Sequence, residues 1–112
     1  MAKKQLKIKS IEETLWESAN KLRGSVEPSE YKHVVLSLIF LKYANDRFEE
    51  RRNELIADGK EAFVDQAVFY NARNVFYLEE QSRWSFIMEN AKQNDIAIKI
   101  DKALESVERS NS

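Results

Sequence analysis

A chain of 112 residues, one third of them charged, with two glycines, one proline and no cysteine, has room for one core of ordinary size and too few turn formers for an all-β fold. Its formal net charge of −1 lacks the strongly basic balance of a dedicated nucleic-acid binder, so any DNA contact must be local or shared with a partner. The absence of cysteine excludes disulfides and thiolate metal sites and suits a reducing cytoplasm, which is the expected compartment.

Residues 1–9, MAKKQLKIK, read as a flexible basic tail. Polar SIEETLWES follows instead of a long apolar stretch, so neither a secretory signal nor a membrane anchor is expected. A helix then begins at Ser10, which has capping-box spacing with Glu13, and ends at Gly24, with Lys21 and Arg23 at the negative end of its dipole. Ile11, Leu15, Ala19 and Leu22 share one face, which needs an apolar partner.

That partner is the next segment. Pro28 suits the first positions of a helix, and no strong breaker follows until Gly59, so the spacing predicts one helix of about thirty residues or two with a bend. Val34, Val35 and Ile39 allow a rival reading of 33–41 as a buried strand. Helix is favoured, because Val34, Leu38, Leu41 and Phe48 have helical spacing and charged sequence enters and leaves the run without a turn residue. VVLSLIFL, apolar on all sides for two turns, should have neighbours on most sides and form the axis of the fold. It is far too short to span a membrane.

KEAFVDQAVFYNARN reads as a shorter helix ending near Asn71 to Asn74, and NVFYLEE as an extended piece. A further helix over SRWSFIMENAKQ takes Ser82 as its cap and turns Trp84, Ile87 and Met88 inward. The last helix starts behind Asp95 and aligns Ile96, Ile100, Ala103, Leu104 and Val107. The whole is an all-α fold, a compact bundle of about four to six helices around the long apolar one, spanning 10–109 with a frayed end at 110–112.

Chemistry is sparse. The single histidine, His33, borders the most apolar stretch, and no nucleophile-base pair is supported. Glu30 and His33 have the spacing of ligands in carboxylate-bridged metal bundles, but the second histidine such a site requires is missing, so no metal is assigned. Gly24 and Gly59 are too far apart for a phosphate-cradling loop. A helix-turn-helix reader would place VVLSLIFL in water and is rejected. Lys42, Arg47, Arg51 and Arg52, interleaved with acids, read either as a solvated face with intrahelical ion pairs or as a ridge facing DNA phosphate. Trp16, Tyr31, Phe40 and Trp84 are candidate core or interface anchors, as are Phe76 and Tyr77.

Several separated segments agree in order with one family. LWESANKLRGSVEPSEYKHVVLSLIFLKYANDRFEERR, with Leu22, Arg23 and Gly24 ahead of Glu30, Tyr31 and Lys32, resembles the start of the modification (methyltransferase) subunit of type I restriction-modification systems. The later run around Arg83 and Trp84, closing in IDKALESVERSN, is similar to the rest of the same amino-terminal helical domain. Glu79 departs from the family, where a proline is expected, and the local turn should differ there.

The resemblance implies a module that precedes the catalytic domain and helps close the assembly around DNA. Its partners would be that catalytic domain, the specificity subunit, the restriction subunit and DNA, with no membrane. Family enzymes methylate adenine N6 with S-adenosylmethionine, held by a glycine-rich loop and an Asn-Pro-Pro-aromatic element. With only Pro28 and two isolated glycines the chain has neither, so no cofactor is assigned to it and S-adenosylmethionine is expected for the full-length subunit. The rival reading is a stand-alone helical adaptor between proteins, without a DNA role.

Overall fold

Helix α1, Pro28–Ala57, runs for 30 residues without interruption, in place of both the bend and the rival strand. The computed structural model describes Glu13, Glu17, Asn20, Leu22, Gly24 and residues 26–112. Tail 1–9, the Ser10 side of the capping box, Ile11, Leu15, Ala19, Trp16 and the basic pair Lys21 and Arg23 lie outside the described residues. Within them Leu22 is helical and fully buried, and Gly24 takes a φ of 93°, the left-handed geometry expected where that helix closes.

The ends of α1 follow local rules. Pro28 sits at its start, where a missing N–H costs no helical bond. At the other end Lys60 N–H donates to Leu55 O at 2.8 Å and Gly59 N–H to Ile56 O at 3.1 Å, with Gly59 at φ 75°. That is a Schellman closure, and it satisfies carbonyls that helix ends otherwise leave open. Ser37, the polar interruption in the apolar run, is buried and donates its hydroxyl to His33 O at 3.0 Å. The bond is internal to the helix and frees Ser37 from needing a partner outside it.

The segment expected as one helix over 60–74 is broken instead into a 3-10 turn at Glu61–Phe63 and a short α2, Val68–Asn71. A second Schellman pattern closes α2, with Val75 N–H to Tyr70 O and Asn74 N–H to Asn71 O, both at 3.0 Å. Asn74 occupies the left-handed position at φ 60°, which asparagine tolerates better than most residues. Residues 75–79 have no regular structure, with Glu79 itself extended, and a 3-10 turn at Glu80–Ser82 leads into α3, Trp84–Glu89.

Helix α4, Ile96–Ser110, carries the cleanest stripe. Ile96, Ile100, Ala103 and Val107 are buried, and Leu104 packs partly against them. It lies against the 80–82 turn and α1. Ser82 does not cap α3: its hydroxyl is fully buried and donates to Ala103 O at 2.7 Å, tying that turn to α4. Asp95 precedes α4 without a side-chain cap bond and pairs with Lys99 at 3.5 Å. Ser110 ends α4, and Asn111 exchanges two hydrogen bonds with the backbone of Tyr77.

The core joins all these pieces. Val34, Leu38, Leu41 and Phe48 from α1 meet Tyr70, Leu78, Trp84 and Ile87, and the α4 stripe closes it. Among the described residues every regular element is helical. No helix among them is long and apolar enough to cross a membrane.

Candidate interaction surfaces

The four basic candidates on α1 do not form one ridge. At about 100° per residue, positions 42, 47 and 52 point roughly 140° apart in turn. Lys42 is engaged with Asp46 at 2.9 Å and lies over the Trp84 ring, 5.5 Å from its centroid. Arg51 is buried; its Nε donates to Phe69 O at 2.9 Å and its guanidinium pairs with Glu54 at 3.0 Å. Arg51 thus fastens α2 to α1. Exposed Arg47 and half-buried Arg52 make no hydrogen bond or ion pair among the described residues.

Arg83 and Trp84, the pair that carried part of the resemblance, are both structural. Phe48 stacks on Tyr70 at 5.0 Å between ring centroids, and Tyr77 meets both rings edge-on at 5.7 and 5.3 Å. The Arg83 guanidinium covers the Phe48 ring at 4.9 Å while its Nε donates to Leu78 O at 3.0 Å. A cation that lies over an aromatic face and also donates to a carbonyl five residues back fastens the Leu78–Arg83 turn to α1. Trp84 is buried, and its free helix-start N–H donates to Asn45 Oδ1 at 2.9 Å. The cap of α3 therefore comes from α1.

The hydroxyl groups within this cluster titrate high. Burial raises the Tyr70 hydroxyl above the ordinary tyrosine range, with nearby Arg52 opposing, and its O–H donates to Val64 O at 2.6 Å. Tyr77 is raised by burial and by Asp65, to which it donates at 3.4 Å. Glu79 behaves oppositely. The Ser106 hydroxyl, donating at 2.5 Å, holds its carboxyl below the usual range, and Arg109 at 3.7 Å adds to this. The backbone of Glu79 sits at φ −70°, ψ 164°, angles that a proline would also adopt.

His33 and Glu30 are both exposed, and His33 Nε2 lies 3.5 Å from Asp101. Among the described residues no group of three or more histidines, cysteines or acids is placed to hold a metal. Gly24 and Gly59 both take left-handed geometry and lie at opposite ends of the stretch that holds α1.

One surface was not expected. The apolar run of α1 is buried on one side only: Leu36 is 59% exposed, Ile39 45%, Phe40 37% and Tyr43 63%. Positions 36, 39, 40 and 43 fall on one outward face, and Phe76, 43% exposed, extends it by an edge contact with Phe40 at 5.8 Å. Of the aromatic anchors, Trp84 is core, Tyr31 is half-buried and Phe40 belongs to this outer face. The signal was present in the sequence. A helix apolar all round needs cover on every side, and a domain this small has too few other elements to provide it.

Comparison with known proteins gives this architecture a family. The family model described as HsdM N-terminal domain matches residues 11–112. The type I restriction enzyme MjaIX methylase subunit of Methanocaldococcus jannaschii is 34% identical over 112 aligned positions, covering 88% of this chain and 20% of the relative. The chain therefore spans about one fifth of the length of that curated relative. No solved structure matches. With nearly its whole length matched in sequence, the chain belongs to the HsdM N-terminal domain family, the amino-terminal helical domain of type I restriction-modification methylase subunits.

Proposed function

We propose that this domain is the non-catalytic amino-terminal module of a type I DNA adenine-N6 methylase subunit, serving subunit assembly and closure around DNA in the cytoplasm. The observation that carries the reading is family membership over residues 11–112 together with a core built entirely for structure. Among the described residues its buried polar groups tie elements together, as Arg51 does to Phe69, Ser82 to Ala103 and Asn45 to Trp84. Methyl transfer then belongs to the catalytic domain, where S-adenosylmethionine is bound, and target reading to the specificity subunit.

Arg47 and Arg52 supply the positioning contacts to DNA phosphate, because Lys42 and Arg51 are spent within the fold. Projecting from different sides of α1, they contribute as separate point charges. Near-neutral net charge fits this division, since the domain adds local contacts to an affinity set elsewhere.

The test is deletion within the assembled enzyme. A methylase subunit lacking residues 1–112, mixed with its specificity subunit and a DNA carrying the target, is assayed for methylation and for complex size against the intact subunit. Loss of methylation or of assembly supports the module reading. Full activity of the deleted enzyme refutes it.

A further inference from the structure

We infer that the apolar face formed by Leu36, Ile39, Phe40, Tyr43 and Phe76 is the docking surface for the part of the methylase subunit that follows this domain in the same polypeptide. The inference rests on the module reading above and names the surface through which the module is held.

Three observations on different parts of the chain converge on it. The first is the face itself: four large apolar side chains, each more than a third exposed, share one side of two turns of α1, and Phe40 meets likewise exposed Phe76 of the 75–79 segment edge-on. Contiguous apolar surface of this kind on a soluble domain marks a site that is covered in the working protein. Exposed Phe63 has a partner of another kind, stacked on Phe69 at 4.8 Å.

The second is length. Four fifths of the methylase relative lies outside the matched part, and an amino-terminal domain has that remainder on its carboxyl side. A covering partner is thus available within one chain, at the high effective concentration that a short tether gives.

The third is where the chain leaves the domain. Asn111 Oδ1 accepts from Tyr77 N–H at 2.8 Å and from Asn71 Nδ2 at 2.8 Å, while its own Nδ2 donates to Tyr77 O at 2.9 Å. Asn111 and Phe76 line the same hollow, with Asn71, Asn74 and Val75. The polypeptide is therefore clamped beside Phe76, at the edge of the apolar face, and whatever follows begins next to the surface to be covered.

Hydroxyl-radical footprinting tests the assignment without a mutation. The full-length subunit and the 112-residue chain are oxidised side by side, and modification of Tyr43, Phe40 and Phe76 is read by mass spectrometry, with exposed Phe63 as reference. Oxidation of the three rings is expected to fall by roughly fivefold or more in the full-length subunit, as solvent leaves a buried interface core, with Phe63 unchanged. Equal oxidation in both proteins overturns the inference. So does protection already present in the short chain that disappears on dilution, because a second copy then covers the face.

The doubly substituted full-length subunit Leu36→Glu with Tyr43→Glu provides the second arm; both positions are more than half exposed, so the domain's own core is untouched. Restored oxidation at Phe76 and faster proteolysis just beyond residue 112 are expected, and retained protection overturns the inference. Deletion of residues 1–112 separates the two claims. If deletion abolishes assembly or methylation while the rings oxidise equally, only the docking assignment fails; if deletion changes nothing, the module reading fails with it.

Discussion

Asn45, midway along α1, accepts the backbone N–H of Trp84 at 2.9 Å through its side-chain oxygen, 39 residues away in sequence. Asn45 is 3% exposed and its amide also donates to Glu49 at 3.0 Å. The first turn of α3 has no side-chain cap of its own, so this contact fixes both where α3 begins and how it sits on α1. Asn45→Ala is expected to destabilise the domain by about 1–3 kcal/mol, the cost of leaving a buried amide without an acceptor. Urea unfolding followed by Trp fluorescence measures it; an unchanged midpoint would show that water replaces the side chain.

Arginines on α1 divide into one that holds the fold and two that do not. Arg51→Met is expected to cost about 1.5–3 kcal/mol, because a charged donor to the Phe69 carbonyl is lost inside the protein. Arg47→Ala and Arg52→Ala are expected to leave stability within about 0.5 kcal/mol, as surface changes usually do. In the assembled methylase the same two substitutions are expected to weaken retention on DNA and to flatten its salt dependence. Paired denaturation and DNA-binding titrations check both halves, and a large stability loss at Arg47 would contradict the division.

Glu79 gives the domain a sensitivity to acid. Its folded-state pKa is depressed by the Ser106 hydroxyl and Arg109, so the stabilisation is fully present above the ordinary carboxylate range. It is lost as pH falls through the lower folded-state value. Glu79→Gln is expected to be less stable than the parent near neutrality, with the difference narrowing as the solution is acidified below about pH 4. Thermal melts of both proteins across that range test the sign. A gap that widens in acid would be inconsistent with a stabilising carboxylate.

Gly24 closes the first helix at φ 93°, and a Cβ built there meets nothing within 4 Å. Gly24→Ala is therefore expected to cost about 1–2 kcal/mol from backbone strain alone, with no steric term. Calorimetric comparison with Asn74→Gly, which relieves a left-handed non-glycine, should move the melting temperature in opposite directions.

Much of this was legible in the residues. Helical spacing through Val34, Leu38, Leu41 and Phe48, the helix-start Pro28, the helix-stop Gly59 and the α4 stripe are local signals, and local geometry alone satisfies them. Segment 60–74 was less legible. Its sequence is compatible with helix throughout, but Tyr70 is drawn onto Phe48 and Arg51 claims the Phe69 carbonyl, which favours short turns over a continuous rod. Ser82 and Asp95 have cap chemistry, yet the Ser82 hydroxyl is taken by Ala103 O and α3 receives its acceptor from Asn45 instead.

The sequence by itself determined an all-helical chain with one long apolar axis, and its family, because periodicity, breakers and motif order act over a few residues at a time. Only the tertiary structure decided which side of that axis is buried, which arginines stay unspent and where the chain exits beside Phe76. Those outcomes depend on segments tens of residues apart competing for the same faces and hydrogen bonds, a competition that no local pattern encodes.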